Sequence, residues 1–327
     1  MNPTTPCVTV LVPSFNHSAY IGQRIRSIME QTYQDFELIV IDDCSSDNSD
    51  SVITSLQREF SFKYIRNPKN SGTPFSAWET VLQLAQGKFI WICESDDYAA
   101  PHFLETAVNS MLKDRSASVF YCDSWIVDST GKHIGHTDEY FHEIWKETRW
   151  DTSFSNDGVA ELEEFQIRGQ TVPNMSSALI STDAFRRSFT PVLKKFKLTG
   201  DWLFIGLLFK EGSVIHARQT LSHFRKHEVT SRARVKSARS QAEFILTKYL
   251  LFRATNASFR DFAPVMGTDA IRFLYESAKL TEVIRAAMQV SLSITLRATL
   301  LLGASLATNP HYLKKFYLRY KQAKGGV

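Results

Sequence analysis

Phe89-Ile-Trp-Ile-Cys-Glu94-Ser-Asp96-Asp97, with Pro101 just beyond it, decides how the rest of this chain is read. Five apolar residues suit a buried strand, and the strand stops abruptly at three carboxylates. Carboxylates crowded at one strand end repel each other unless a cation sits between them. Oxygen ligands of this kind suit Mg²⁺ or Mn²⁺, which commonly bridge protein carboxylates to phosphates. The competing reading is a helix start, with Asp96 or Asp97 capping a helix over Phe103–Leu112.

Upstream, the chain alternates strand and helix. Val8–Val12 is a β-branched run ended by Pro13, and Ile21, Ile25, Ile28 and Met29 then recur at helical spacing to Gln31. Phe36–Ile41 is a second strand, ending at Asp42-Asp43, and Ser45–Ser49 caps a helix running toward Glu59. Lys63–Arg66 is a short strand, Asn67–Gly72 a turn, and Phe75–Gln86 a helix closed by Gly87. This order predicts a mostly parallel sheet with helices on both faces, in which ligands bind beyond the carboxyl ends of the strands. Pro13–Asn16, Asp42–Asp43 and Glu94–Asp97 all fall at such ends.

Downstream, Ser118–Cys122 is a further strand ending at Asp123, and residues 129–165 read as long loops and hairpins suited to an acceptor. Asn174–Ile180 resembles a strand. Thr199-Gly200-Asp201-Trp202 opens an apolar helix to Phe209, and the strand-like Ser213–Ala217 and Thr220–Phe224 lead to Arg225-Lys-His227.

The 327 residues are 43% hydrophobic and 22% charged, enough for one large domain plus an appendage. Cys7, Cys44, Cys93 and Cys122 share no metal-ligand spacing, which points to a reducing compartment without a disulfide framework. The first residues lack a basic stretch followed by an apolar one, so no secretory signal is expected. Net charge is +4, but residues 216–327 hold 19 Lys and Arg against 6 Asp and Glu, whereas the remainder holds 19 against 28. An acidic first part and a basic last part suggest two tasks. Residues 283–307 are apolar but interrupted by Arg285 and Arg297, so amphipathic or core helices are expected rather than a membrane span. Tyr312–Lys321 mixes aromatics with cations, the composition of a helix lying on an anionic membrane surface or of a solvated terminal helix.

Four pieces together resemble the family 2 glycosyltransferases: Val10-Leu-Val-Pro-Ser-Phe-Asn16, Asp42-Asp43-Cys-Ser45-Ser-Asp47-Asn-Ser49, Glu94-Ser95-Asp96-Asp97 with Pro101, and Gly200-Asp201. The resemblance covers about residues 6–228. One departure is Glu94, which stands at the first position of the family's Asp-x-Asp metal motif. The resemblance implies a GT-A fold, α/β and Rossmann-like, with a nucleotide-sugar-binding and catalytic domain over 1–228 and a basic helical region over 229–327. It further implies an inverting, metal-dependent transfer of sugar from a nucleoside-diphosphate donor, a UDP- or dTDP-sugar, to a glycan or lipid-linked acceptor. Mn²⁺ or Mg²⁺ would be held by Asp96, with Asp97 and His227 as further ligands. Pro13, Ser14, Asn16, Asp43, Asn70, Glu94, Ser95, Asp96 and Arg225 would contact the donor, Asp43 through the N3–H of a pyrimidine and Arg225 through diphosphate. Lys69 lies beside Asn70 and would flank the nucleotide. Asp201 would be the general base; a helix cap is the alternative role. The expected place is the cytoplasm, on the inner face of the membrane, in surface-polysaccharide synthesis. A nucleic-acid partner is not expected, because the strand-end carboxylates would repel phosphate. A sugar-phosphate nucleotidyltransferase would need a Gly-rich phosphate loop with Arg and Lys after the first strand, which Pro13–Ser18 does not supply.

Overall fold

A computed structural model describes residues 5–227, 237–255 and 280–307. The first half runs β1 (Val8–Ser14), α1 (Ile21–Met29), β2 (Phe36–Asp42), α2 (Ser49–Leu56), β3 (Lys63–Arg66), α3 (Phe75–Leu84), β4 (Phe89–Ile92), β5 (Tyr98–Ala99) and α4 (Phe103–Lys113). It continues through β6 (Ala117–Val127), β7 (His133–His136), α5 (Thr137–Trp145), β8 (Phe154–Asn156) and α6 (Gly158–Glu161). Then come β9 (Ala178–Ser181), α7 (Thr182–Ser188), α8 (Gly200–Phe209), β10 (Ser213–Arg225), α9 (Ser237–Ala254), α10 (Leu280–Val290) and α11 (Leu292–Ala307).

One sheet holds the described strands in the order β3-β2-β1-β4-β9-β6-β10-β5, with β7 on β6 and β8 on β10. The β3-β2-β1-β4 half is parallel, as the alternation predicts. Every residue of β1 and β4 is buried, which is why both read as unbroken apolar runs: helices cover both faces of the sheet. Ile21, Ile25 and Ile28 of α1, Ile53 and Leu56 of α2, and Phe103, Leu104, Ala107, Val108 and Met111 of α4 pack into the same core. Gly87 enters β4 so close to β1 that a Cβ there would stand 2.4 Å from the Thr9 nitrogen.

The departures lie in the second half. β9 runs antiparallel between β4 and β6, so the sheet is mixed. Asn174–Ser177 is a short turn rather than strand, because the Asn174 side chain takes the Ser177 N–H (2.9 Å) from the ladder. β6 continues past Asp123 to Val127, and Ser213–Arg225 is one strand that crosses polar Arg218–Thr220 through a register shift. Residues 129–165 include β7, α5, β8 and α6 as well as loops.

Two compact units emerge. The first comprises Met1–Glu161, Thr171–Thr190 and Leu207–Thr230, and the second Leu162–Gln170, Pro191–Gly206 and Ser231–Val327. The second unit therefore draws segments from within residues 1–228 as well as from the chain's end. Residues 283–307 form α10 and α11, with Val283, Ala287, Val290 and Ala298 buried. No described helix is long and apolar enough to cross a membrane. The basic, aromatic Tyr312–Lys321 stretch lies outside the described residues.

Candidate active site

Strand order brings the three polar clusters together. β2, β1 and β4 are neighbours, so Asp42–Asp43, Pro13–Asn16 and Glu94–Asp97 share one sheet edge. Side-chain caps stitch the loops after β1 and β2. Asn16 N–H donates to Ser45 Oγ (2.9 Å) and Ser46 N–H to Asn16 Oδ1 (2.8 Å). His17 N–H reaches Ser49 Oγ (3.2 Å) and Ser18 N–H reaches Asp47 Oδ2 (2.9 Å). The turn puts Asn16 at φ 54°, a left-handed conformation that asparagine tolerates better than most residues. Asp43 receives the Asn67 amide (2.7 Å) and the Ser71 hydroxyl (2.8 Å), which fix its carboxylate at the end of β2. The Asn70 amide bonds the Asp43 carbonyl at 3.1 Å. Asn70 and Lys69 are exposed, whereas Pro13 and Ser14 are buried. Asp43 N–H donates to the Ser14 carbonyl (2.8 Å), joining the two strand ends.

His17, Asp96 and His227 each present a ligand atom within 4.8 Å of one another. His227 Nε2 stands 3.0 Å from Asp96 Oδ2, with the Asp96 side chain 20% exposed and that of His227 6%. His17 and His227 meet edge to face, and the Ser95 hydroxyl sits 2.7 Å from His17 Nδ1. Burial works against charge on Asp96, but the hydrogen bond from His227 and the nearness of His17 hold its carboxyl below the usual range. Two imidazoles, one carboxylate and a partly open position fit a divalent ion. Of the metal ligands expected from sequence, Asp96 and His227 lie in this group. His17, the third, was missed. Its signal was present, since it stands three residues beyond β1 at the sheet edge where ligands converge.

Asp97 and Arg225 are turned elsewhere. Asp97 is 1% exposed, and its Oδ1 accepts the Arg225 backbone N–H at 2.8 Å. Burial, with Asp96 next, pushes its carboxyl up to about 7. Arg225 is 3% exposed, and its guanidinium serves protein acceptors instead of facing outward. Nε donates to the Asp96 carbonyl (2.7 Å), Nη1 to the Asp128 carbonyl (2.9 Å) and Nη2 to Gln23 Oε1 (2.7 Å). These contacts give Arg225 a positioning role: it pins the backbone under Asp96 to β10 and to the β6–β7 turn. Behind the site Arg24, fully buried, holds the Glu94 carbonyl (3.0 Å) across the Trp91 ring. Ser176 Oγ accepts the Glu94 N–H at 3.0 Å, and Ser95 is 2% exposed.

In the second unit, Asp201 is the second residue of α8. Oδ1 accepts the Trp202 N–H (2.8 Å) and Oδ2 the Gln170 amide (3.1 Å). Glu243, fully buried on α9, fixes the approach to this helix. Its carboxylate accepts the backbone N–H groups of Lys197 (2.9 Å), Leu198 (2.7 Å) and Thr199 (3.3 Å), and Arg239 Nε donates to it at 2.6 Å. Nothing in the sequence around Glu243 separates it from a solvated helical glutamate. Charge-assisted bonds of this kind contribute about 1.5–3 kcal/mol each before coupling. Glu243→Ala should therefore cost about 3 kcal/mol in urea unfolding; a loss under about 0.5 kcal/mol would show that the nest does not hold the segment.

Comparison with known proteins follows the same lines. Residues 9–163 match the family described as Glycosyl transferase family 2. An uncharacterized glycosyltransferase of Haemophilus influenzae is 36% identical over 110 residues, 33% of this chain and 44% of that protein. The poly(ribitol-phosphate) beta-N-acetylglucosaminyltransferase TarS of Staphylococcus aureus is 31% identical over 101 residues, 30% of this chain and 18% of TarS. The chain thus spans less than half the length of these relatives. Among solved structures, S. aureus TarS 1-349 in complex with UDP-GlcNAc superposes with TM-score 0.67 at 16% identity, covering 97% of this chain and 92% of that one. The mannosyltransferase PcManGT from Pyrobaculum calidifontis, in complex with GDP-Man and Mn²⁺, gives 0.56 at 17% identity over 95% and 83%. These likenesses establish the GT-A fold. Residues 9–163 are thus identified as a family 2 glycosyltransferase domain, set in a chain with the GT-A fold.

Proposed function

We propose that the chain moves a sugar from a UDP- or dTDP-sugar to a hydroxyl of a glycan or lipid-linked acceptor, with inversion at the anomeric carbon. The observation that carries this reading is the His17–Asp96–His227 group at the end of β4, on the sheet edge it shares with Asp43. A divalent ion held by these three residues would neutralise charge gathering on the leaving diphosphate. The two imidazoles tip the donor set away from Mg²⁺ toward a first-row transition ion such as Mn²⁺.

Asp43 accepts the Asn67 amide, the Ser71 hydroxyl and the Ser71 N–H, three donors against about four lone-pair sites, so a pyrimidine N3–H would take the remaining one. Pro13, Ser14, Asn16 and Asn70 border the nucleotide, and Glu94 and Ser95 border the ribose and diphosphate. Asp201 takes the proton of the attacking hydroxyl, and attack opposite the diphosphate inverts the centre. A neighbour solved with UDP-GlcNAc and a relative acting on poly(ribitol-phosphate) support a uridine donor and a surface-polymer acceptor. The excess of cations over residues 216–327 favours work in the cytoplasm, at the anionic inner face of the membrane.

The test is release of nucleoside diphosphate by purified protein from UDP-glucose, UDP-galactose, their N-acetylamino forms, dTDP-rhamnose and GDP-mannose. Turnover is expected from a UDP- or dTDP-sugar in Mn²⁺, stronger than in Mg²⁺ and lost in EDTA. Undiminished turnover in EDTA would overturn the metal assignment, and turnover from GDP-mannose alone would overturn the role given to Asp43.

A further inference from the structure

Four adjacent strands set a line of rings beside the Asp96–His227 pair. Tyr98 on β5 pairs with His223 on β10, His223 pairs with Trp125 on β6, and Trp125 pairs with His136 on β7. Residues opposite each other on paired strands share a face, so the register lines these rings up on one side of the sheet. They touch. Tyr98 and His223 stack with centroids 4.1 Å apart, and Trp125 stacks on His133, at the other end of β7 from His136, at 4.7 Å. His136 meets the indole edge-on at 4.8 Å, and His133 and His223 join the two stacks at 5.6 Å. Trp125 is 37% exposed and His133 is exposed, with Tyr98 and His223 half-buried, so the strip has a face in water.

The strip starts at the candidate metal group. Tyr98 lies two residues after Asp96, and His223 lies four before His227 on the same segment. Trp125 stands two strand spacings, about 10 Å, from Tyr98. Arg225 ties both ends together: it bonds the Asp96 carbonyl and, through Nη1, the Asp128 carbonyl in the β6–β7 turn. The strip and the Asp96 backbone are therefore held as one piece.

A core would surround Trp125 with aliphatic side chains. Here it has imidazoles, which combine flat faces with hydrogen-bonding edges. Burial, with His133 next, pushes His223 down to about 4, so its ring is neutral near pH 7 and can both donate and accept. Aromatic faces interleaved with a few polar groups line ligand sites. Flat apolar faces with polar rims match a pyranose, which has a C–H face and an edge of hydroxyls.

We infer that the Tyr98–His223–His133–Trp125 strip binds a neutral pyranose ring of the acceptor, stacked on Trp125 and bonded through its hydroxyls to the imidazoles. This rests on the transferase reading above and adds the acceptor's chemical class to it.

The test separates the two. Ligand-observed NMR, with no donor present, would measure binding of the methyl glycosides of glucose, galactose, N-acetylglucosamine and N-acetylgalactosamine. At least one should bind the parent, Trp125→Ala should weaken it about tenfold, and Trp125→Phe, which keeps a flat ring, should weaken it less. In the transfer assay Trp125→Ala should raise the acceptor KM by a similar factor and the donor KM less than about twofold. The inference is overturned if none of the glycosides binds, if Trp125→Ala binds as the parent does, or if acceptor and donor KM rise together. Glycoside binding lost in Trp125→Ala, with no turnover from any nucleotide sugar, would keep the saccharide site and sink the transferase reading.

Discussion

Asp96→Ala should lower Mn²⁺-dependent release of nucleoside diphosphate by roughly 10³-fold, down to the rate the parent shows in EDTA. Asp96 supplies the carboxylate in the group with His17 and His227, and no other described acid belongs to that group. Without it, two imidazoles would face a dication with no negative charge to offset it. Asp97, the adjacent carboxylate, is committed elsewhere. Asp97 is 1% exposed and spends Oδ1 on the Arg225 backbone, held there by the same network that fixes the strand. The variant should fold, because the Asp96 side chain is partly open and the Arg225 bond to this residue goes to its backbone carbonyl, which the substitution keeps. Mn²⁺ binding read by electron paramagnetic resonance separates lost metal from lost chemistry. Parent-like Mn²⁺ affinity in Asp96→Ala, or full turnover of that variant in chelator, would remove Asp96 from the metal site.

How much of this was legible in the sequence depends on which physical force decided each element. β1 and β4 are buried on both faces, so their apolar runs and the polar clusters at their ends are unambiguous. The second half is decided by pairing. Ser124-Trp125-Ile126-Val127 lies beyond the strand end expected at the polar Asp123, yet β10 and β7 on either side extend the strand. Trp125 is conspicuous only once its neighbours are known. Asp97 and Arg225 stand at positions where charge suggests ligand contact, and sequence cannot show that Asp97 turns to the Arg225 backbone and Arg225 to the Asp96 backbone. His17 is the converse: after Asn16 it reads as part of a capping turn, and only the approach of Asp96 and His227 gives it a chemical role. The second unit was hidden because 162–170 and 191–206 lie inside the run of sequence that builds the first.

Asp201→Asn should leave the fold intact and reduce sugar transfer by roughly 10²–10⁴, the usual worth of a general base. The side chain sits at the start of α8 with one oxygen on the Trp202 N–H and the other on the Gln170 amide. Asparagine keeps the first bond through its own carbonyl. The second survives if the Gln170 amide turns over to present its oxygen, which leaves hydrogen-bonding capacity matched. Stability should therefore change by less than about 1 kcal/mol. The approach to the helix is set independently by Glu243 on Lys197, Leu198 and Thr199, so the position of residue 201 does not depend on its own charge. What the substitution removes is the capacity to take a proton. A carboxylate has lone pairs to spare beyond these two bonds, whereas an amide nitrogen has none. Donor affinity should stay within about twofold, because the residues assigned to the nucleotide lie on the β1, β2 and β4 ends. The decisive measurement is transfer rate against donor affinity in the same variant. A lowered kcat with unchanged donor binding makes Asp201 the base. Transfer at near the parent rate would make it a helix-terminal hydrogen-bonding residue, with the acceptor's proton leaving by another group.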